Sequence, residues 1–553
     1  HDALPISVKV ETRPLNSINQ LFRGNFSSGY DSNYNAFEES VSLMGNYKKV
    51  GYWIHGAWRE GNDYTTGDGT AIPGDFMSRE IRGKVGYRLT SSSTVNVSLG
   101  YQDQQDIDYP GRLLNADYFF TTNISAEYSY NPDESILKSL IIKGYLNDVN
   151  HGMDNDGKPT AQADPNRMPP FALDVGVNAE MRAKGYRAAA ILQPGSLWTF
   201  EVGSDFYTAY RNAVRTIDRR DQGMKPAMFP LVDAMWPQTT ISDLGFFARA
   251  KRPFLDDWTI SGTLRFDYAR ADADTVSDFF ANNVTTDMDA SESNISGSLT
   301  TNYTPSDNWS IGAGIGSVVR TADATERFSD RIPASKSQTS AEFVGNPDLD
   351  PERSTQADLW IDFSYPNLRG SFNLFGRVID DYITLEATNL PKRLPLSPNT
   401  VYTYINGRAE FWGFDFSSSY RLLPQLKYKA GLNYLWGQDT NLNEPALGVA
   451  PFSVQTGLRY ESSNIPLFLE GTVNMVDGQE RVATARGEIA TDGYTTVDLI
   501  TGFTIWKRLS LQLGVNNMFD VDYVNHLNAK NPFSGMQIGE PGRYFFADLN
   551  IRF

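Results

Sequence analysis

A group of methionines and one histidine is the part of this sequence with the clearest capacity for chemistry. Its members lie between residues 151 and 235 and are His151, Met153, Met168, Met224, Met228 and Met235. Thioether sulfur is a soft ligand that favours Cu(I), and imidazole nitrogen is a natural companion ligand. The residue types therefore predict a copper site. The same methionines could instead pack as flexible side chains against neighbouring rings and prolines, and the sequence leaves both interpretations open.

Another methionine of the same stretch, Met181, is excluded from the predicted site. It alternates in phase with Val177, Ala179 and Ala183, whereas its neighbour Arg182 belongs to the other phase. Successive side chains of a strand point to opposite faces. The pattern therefore predicts that Met181 lies on an apolar, lipid-facing side of a strand.

A basic stretch beside the methionines favours a different ligand. It consists of Arg211, Arg215, Arg219, Arg220 and Lys225. In a chain of net charge -17, such a patch could attract an anionic ferric siderophore by electrostatic focusing. Asp218 and Asp221 are interleaved with these residues, so a loop that neutralises its own charges is the other interpretation.

The elements that must position these residues are β-strands, which recur along the chain. In the last of them every second residue from Phe545 to Phe553 is apolar, and the residues between are mostly polar. Similar alternation recurs over residues 95–102, 358–363, 425–436 and 509–516. Segments of roughly 8–12 residues suit a tilted strand that crosses a bilayer, and a chain ending on an apolar strand is typical of an outer-membrane barrel. A soluble sandwich or propeller would also alternate.

Two kinds of connection separate the predicted strands. Short, turn-like connections occur at 91–93, 305–308 and 506–508. Long polar connections occur at about 150–172, 212–240, 270–292, 321–350, 386–402, 437–451, 476–492 and 524–540. Short periplasmic turns that alternate with long extracellular loops are the layout of an outer-membrane barrel. The sequence therefore predicts an all-β, transmembrane antiparallel β-barrel whose long loops carry the ligand contacts.

Composition and missing motifs exclude several classes of function. No stretch approaches 18 consecutive apolar residues, so no transmembrane helix is predicted. The absence of cysteine rules out disulfides and thiolate metal sites, and the acidic net charge argues against nucleic acid. The four histidines form no HExxH pair, and no phosphate loop or GxSxG elbow is present. We expect no enzyme and no cofactor, only a transported ligand, and a surface position for His526 in the last long loop.

Four ordered motifs in the C-terminal part resemble those of TonB-dependent outer-membrane receptors. Residues 345–354 (GNPDLDPERS) resemble the family's NPxLxPExS segment, and 515–523 (VNNMFDVDY) resemble its xxNLFDxxY element. Residues 540–543 match its EPGR motif, and 408–415 (RAEFWGFD) lie where the family has a GxEL strand opening. The matching positions are Asn346, Pro347, Leu349, Pro351, Glu352, Asn517, Phe519, Asp520, Tyr523, Pro541, Gly542, Arg543 and Phe553. We expect structural roles for them in extended rim segments and turns.

This resemblance implies a barrel of roughly 22 strands in the bacterial outer membrane, with an N-terminal plug and energised uptake through the inner-membrane partner TonB. It also implies contact with outer-membrane lipid and lipopolysaccharide, assembly by the barrel-assembly machinery through the C-terminal strand, and a monomer. The expected cargo is a scarce metal or metal chelate, with copper first and ferric siderophore second. Residues 150–155 (NHGMDN) resemble a DHxMDN stretch of the copper-receptor branch, in which the plug also supplies ligands.

The first residues depart from the family pattern. Residues 7–14 (SVKVETRP) resemble the last plug strand, and residues 1–6 are expected to be a non-native remnant. We therefore expect a barrel over residues 15–553 and a plug that is missing because the gene is truncated. The alternatives are a passive porin-like channel that never had a plug, and an adhesin or structural barrel.

Overall fold

The first and last strands of the chain pair with each other and close a cylinder. The computed structural model describes residues 21–220, 229–394, 397, 400–506 and 508–553. Strand β1 (Arg23–Asp31) runs antiparallel to the last strand, Tyr544–Arg552. Next to this seam the backbone N–H of Phe553 donates to the carbonyl of Gly24 at 3.0 Å, and that of Gly24 donates back at 2.7 Å. The Phe553 ring packs directly over Gly24, so a side chain at this position would have to displace that ring.

Within the described residues the barrel has 22 antiparallel strands, in agreement with the number that the family resemblance implies. After β1 they are β2 (Ala36–Tyr47), β3 (Val50–Gly61), β4 (Phe76–Arg88), β5 (Ser93–Ile107), β6 (Asn115–Tyr130), β7 (Leu137–Asp154), β8 (Leu173–Leu192), β9 (Thr199–Arg219), β10 (Leu231–Leu255), β11 (Trp258–Ala273), β12 (Asp289–Ser306), β13 (Trp309–Arg320), β14 (Glu352–Ser364), β15 (Leu368–Ala387), β16 (Tyr402–Leu423), β17 (Leu426–Asp439), β18 (Ser453–Glu461), β19 (Leu467–Val476), β20 (Tyr494–Ile505), β21 (Leu509–Asn516) and β22 (Tyr544–Arg552). Each pairs with its neighbours in sequence, because successive strands are joined as hairpins.

Short turns and long loops alternate around the barrel, as the sequence predicts. The periplasmic end carries connections such as 256–257, whereas the extracellular end carries loops such as 321–351 and 517–543. One predicted loop is wrong: β9 and β10 continue through most of the 212–240 region. Two short helices, Asp278–Asn283 and Ala324–Phe328, lie in loops. No helix in the described parts of the chain has the length and apolarity to cross a bilayer.

Some expectations concern residues that the structure does not describe. The predicted boundaries after residues 6 and 14 both lie outside the described residues. The same holds for Met224, Lys225 and Met228, which belong to the two candidate ligand sets.

Within the membrane, the apolar side of each strand faces lipid. On β11, Leu264 and Phe266 are exposed on the outer surface. Arg265 points to the lumen, where its guanidinium donates to Asp205 on β9 at 2.7 Å. This is the ordinary arrangement of a spanning barrel, because lipid replaces the core as the apolar environment.

At the extracellular end the polarity of the two faces is reversed. Val177 and Ala179 of β8 are buried against Leu113, a residue of the connection between β5 and β6. The outward Arg182 instead pairs with Asp148 at 2.7 Å. Met181 shares the phase of Val177 and Ala179, so it lies on the lumen side. The prediction that Met181 faces lipid is wrong, because above the bilayer the loops, not lipid, cover the apolar side.

A β-hairpin from loop 321–351 folds into the extracellular mouth. Its two strands, Ile332–Lys336 and Thr339–Val344, pair antiparallel, and the second is buried along its whole length. Phe343 also pairs in parallel with Tyr402 at the start of β16. The hairpin (332–344) therefore packs against the barrel wall and fills part of the mouth.

Candidate metal site

Strand β7 places His151 and Met153 side by side on the lumen wall. The two residues are two positions apart, so their side chains share one face of the strand. Opposite them on β8 lie Ala179 and Val177, which belong to the buried, inward cluster of the mouth. The sequence prediction names both residues, and the structure brings them together.

His151 is held in a dry environment above the bilayer. Its outward neighbours at this height, Asn150 and Glu180, are polar, which places this part of the wall beyond the spanning segment. The imidazole is 8% exposed and stacks on Phe119, with ring centroids 4.5 Å apart. Burial, and then the positive charge of Arg112, lower the pKa of His151. The ring is therefore neutral at pH 7, which is the form that binds a metal.

One ring nitrogen of His151 is available for a ligand. Its Nδ1 is buried and has no hydrogen-bond partner among the residues that the structure describes. Buried polar atoms are normally paired, and each exception calls for an explanation such as a catalytic role or the binding of an ion. A bound metal ion would supply the missing interaction.

Met153 and Met235 pack into one apolar cluster. Met153 is half-buried against this cluster, and Met235 is a buried member of it. Leu113 and Leu114 of the connection 108–114 cover the same cluster from the lumen side. The packing interpretation thus describes the present contacts of both methionines. Their thioethers remain chemically able to bind a soft ion if the covering residues move.

The remaining methionines do not join this group in the described structure. Met168 lies in the loop 155–172 and is 81% exposed. Met224 and Met228 belong to the residues that are not described. Of the predicted metal set, the structure therefore places three residues, His151, Met153 and Met235, in one region of the mouth.

Buried polar groups fix the loops around His151. Asn155, directly after β7, accepts from the backbone N–H of Val175 at 3.0 Å and donates to the carbonyl of Leu173 at 3.1 Å. Lys158 donates to the carbonyl of Tyr109 at 2.7 Å, which ties loop 155–172 to the connection 108–114. Burial lowers the pKa of Lys158 to about 8. These contacts give β7 a defined end, so the position of His151 is set by a rigid frame.

Protein groups contact each described arginine of the basic stretch. Arg215 is fully buried, and its Nε donates to Asp233 at 2.9 Å. The Arg219 guanidinium lies over the ring of Phe171 at 4.2 Å, and Arg220 bonds to Asp156. Arg211 lies over Trp236 and donates to Thr325.

The structure contains a second buried imidazole, that of His526, and the predicted surface position of this residue is wrong. His526 is 2% exposed. Its Nε2 lies 3.3 Å from a carboxylate oxygen of Glu488, and its Nδ1 lies 2.9 Å from the hydroxyl of Thr491. Burial raises the pKa of Glu488, but its interactions with His526 and with two backbone N–H groups outweigh burial and lower the pKa. The carboxylate therefore stays charged opposite the imidazole.

The first family motif fixes the rim before β14. Asn346 donates to the carbonyl of Tyr404 at 3.1 Å, and Leu349 is buried against the mouth. Glu352 accepts from Arg320 at 2.6 Å and from the backbone N–H of Ile383 at 2.7 Å. These contacts connect β13, β14, β15 and β16, which is a structural role.

The closing motifs hold loop 517–543 to the barrel. Asn517 has a positive φ of 46° and accepts from the backbone N–H of Val521 at 2.9 Å. Asp520 accepts from the backbone N–H of Arg543 at 2.7 Å. A Cβ at Gly542 would lie 2.7 Å from this same carboxylate, so the close approach requires glycine.

One group of carboxylates has metal-binding geometry within the described chain. Asp63, Asp75 and Asp108 have oxygen atoms that all lie within 4.8 Å of one another. Such hard oxygen ligands suit Ca²⁺ or Mg²⁺ and not Cu(I). The group is therefore separate in chemistry from the His151 region.

Comparison with known proteins places this architecture in one family. The family described as "TonB dependent receptor-like, beta-barrel" matches residues 14–518. Among solved structures, the copper transporter OprC is 22% identical, with a TM-score of 0.84, over 96% of this chain and 80% of that chain. A search of curated proteins finds no match.

Two iron-related structures are also similar. The FrpB iron transporter from Neisseria meningitidis (F5-1 variant) is 14% identical, with a TM-score of 0.71, over 98% of this chain and 83% of that chain. A ferric enterobactin receptor mutant from Pseudomonas aeruginosa in complex with enterobactin is 16% identical, with a TM-score of 0.71, over 97% and 82%. At these identities the three likenesses establish the fold.

Proposed function

The chain belongs to the TonB-dependent receptor family, and we propose that it takes up copper, held as Cu(I) by His151 and Met153. Membership in this family places the barrel in the bacterial outer membrane and implies partnership with TonB. The solved relatives are transporters and receptors. The proposed activity is likewise a transport step, in which no covalent bond is made or broken.

The observation that carries this proposal is the unpaired nitrogen of His151 beside a thioether on the same face of β7. A neutral imidazole and a methionine sulfur form a soft donor pair, which selects Cu(I) over hard ions such as Fe(III) and Mg²⁺. The alternative ligand, an anionic siderophore, has less support. Of the basic stretch, Arg215 is fully buried against Asp233 and therefore has no surface to offer an incoming anion.

His151 and Met153 supply only two ligands, so the remaining coordination positions of the copper ion must be filled by another part of the protein. Met235 belongs to the same apolar cluster, and Ala179 and Ala213 lie on the strands between β7 and β10. The small size of these alanines leaves the wall between the donors shallow. A further donor from an element that enters the lumen could then approach the ion.

Entry of the ion requires movement of the connection 108–114. Leu113 and Leu114 pack on the cluster that contains Met235 and contacts Met153. The ion can enter only if these two leucines leave the cluster and the hydrogen bond from Lys158 to Tyr109 breaks, which is a local opening of the mouth and not of the strands beneath it. Capture would therefore couple loop opening to binding, and TonB-driven rearrangement would then open the path to the periplasm.

Titration of the purified barrel with Cu(I), against a competing chelator, tests the proposal. The double variant His151→Ala with Met153→Ala should weaken Cu(I) binding by at least about 100-fold, since loss of even a supporting group typically weakens a metal site 10–100-fold. Met536→Ala is the matched control, because it removes a thioether that is 71% exposed in loop 517–543. Equal binding by the double variant and the wild type would contradict the proposal.

A further inference from the structure

Arg252 lies on the lipid-facing surface of the barrel near its periplasmic end. It is close to the end of β10, three residues before the last residue of the strand, Leu255. Its partner across the sheet is Ile260 of β11. Phe246 and Phe254 share its phase along β10 and are exposed on the outer surface. The side chain of Arg252 therefore leaves the barrel on the side that meets lipid.

One aromatic ring contacts this arginine, and further rings lie near the same end of the barrel. Its guanidinium lies over the ring of Trp198 at 5.1 Å, and Trp198 stacks on Phe200 with centroids 5.4 Å apart. On the neighbouring strands Trp258 stacks on Tyr303 at 4.6 Å. Trp and Tyr concentrate at the height of lipid headgroups. Because the short turns are periplasmic, these rings mark the headgroup level of the inner leaflet, which consists of phospholipid.

The guanidinium of Arg252 has a donor that the protein does not use. Its Nε is buried and has no hydrogen-bond partner in the described parts of the chain. Together with a terminal nitrogen, Nε forms the planar fork that binds a phosphate group through two parallel hydrogen bonds. A long side chain at this height can extend along the wall and keep its charged end among the headgroups.

We propose that Arg252, in contact with Trp198, binds the phosphate of an inner-leaflet phospholipid. The fork of the guanidinium would hold the phosphate, and the stacked rings would contact the glycerol region. The acyl chains would run along Phe246 and Ile260 toward the centre of the membrane. Exposed apolar side chains on this path favour a lipid over a free phosphate ion, which would gain nothing from them.

Native mass spectrometry of the detergent-solubilised barrel with added phosphatidylethanolamine tests the proposal. Arg252→Gln should weaken binding of the most tightly held lipid by about tenfold, as expected for loss of charge-assisted hydrogen bonds. Arg252→Lys should fall between Arg252→Gln and the wild type, because lysine keeps the charge and lacks the planar fork. Retention of the slow-migrating folded form on unheated gels would verify that each variant forms a barrel.

Arg249→Gln is the matched control on the same strand. Arg249 lies three residues earlier on the lumen side, where its Nε donates to Ser261 at 3.1 Å. This variant carries the same change of charge and should bind lipid as the wild type does. The proposal fails if Arg252→Gln retains lipid as the wild type does, or if phosphate-free diacylglycerol binds equally well. It also fails if millimolar inorganic phosphate displaces the lipid completely, since the site would then be an anion site.

Discussion

The mouth of the barrel contains two buried histidines that differ in what surrounds them. His151 lies on a barrel strand, stacks on Phe119 and has an unpaired Nδ1 among the described residues. His526 lies in a loop, where its Nδ1 is within hydrogen-bond distance of the Thr491 hydroxyl and its Nε2, which makes no hydrogen bond within the described residues, lies 3.3 Å from the carboxylate of Glu488. The same residue type is thus committed to the fold at one position and left open at the other.

The surroundings of His526 explain why it is structural. Gln338, at the tip of the inward hairpin, donates to the His526 carbonyl at 2.9 Å and accepts from the backbone N–H of Ile489 at 2.9 Å. Three extracellular segments meet at this point: the hairpin, loop 477–493 and loop 517–543. His526 therefore stabilises the closed arrangement of the mouth. His151 joins no such network, and its unpaired atom is an energetic cost that binding would remove.

The largest expected effect comes from His526→Ala. Removal of the imidazole leaves the buried carboxylate of Glu488 with only its two backbone N–H donors, and loss of an interaction with a charged group costs about 1.5–3 kcal/mol. Local opening of the hairpin should become easier by this amount, seen as faster amide hydrogen exchange over residues 339–344. Cu(I) affinity should stay within a few-fold of wild type. Unchanged exchange over 339–344 would show that His526 is not what holds the hairpin.

The second prediction reverses this pattern at the other histidine. His151→Phe keeps an aromatic ring against Phe119 and removes the unpaired nitrogen, so local stability should be unchanged or higher by up to about 1 kcal/mol. Cu(I) affinity should fall by about 10–100-fold, because a ligand is lost. Hydrogen exchange over β7 and chelator competition measure the two effects in the same sample. Loss of stability together with unchanged copper binding would show that His151 is a structural residue and not a copper ligand.

The third prediction concerns pH. The pKa of His151 lies below the ordinary histidine value, so protons compete with the metal only at lower pH than for an exposed imidazole. Cu(I) affinity should therefore stay constant as the pH falls from 7.5 through 6.5 and should decline only below that value. Titrations at a series of pH values check this. A midpoint at or above 6.5 would mean that His151 is not the ligand.

The smallest effect is expected in the basic stretch. Arg219→Gln with Arg220→Gln should change Cu(I) affinity by less than about twofold, because interactions of exposed charges are worth at most about 1 kcal/mol. The same variant separates the two candidate ligands. A large, salt-dependent loss of ferric siderophore binding, together with no Cu(I) binding by the wild type, would favour the siderophore alternative.

Much of the fold could be predicted from the sequence, because a spanning strand obeys a simple rule. Lipid requires an apolar outer face and the strand period is two, so alternation such as that from Phe545 to Phe553 indicates the barrel directly. The same rule fails above the bilayer. There the outer face meets water and the inner face meets loops, so the apolar residues Val177 and Ala179 point inward. Alternation alone therefore assigned Met181 to the wrong face.

The candidate site could be predicted only in part. The spacing of His151 and Met153 places them on one face of a strand once the strand is recognised. The stack on Phe119 depends on the pairing register of β6 and β7, which the sequence does not specify. The burial of His526 depends on contacts between loops far apart in the chain, such as the one with Gln338. No local pattern carries that information.

Anomalous X-ray diffraction at the copper edge, from crystals of the barrel grown with Cu(I), would show whether His151 and Met153 hold the ion. We expect a single strong anomalous peak at bonding distance from an imidazole nitrogen of His151 and from the sulfur of Met153. The peak should be missing from crystals of the double variant His151→Ala with Met153→Ala. No peak at this position in the wild type, or copper only at exposed thioethers such as Met168 and Met536, would contradict this expectation.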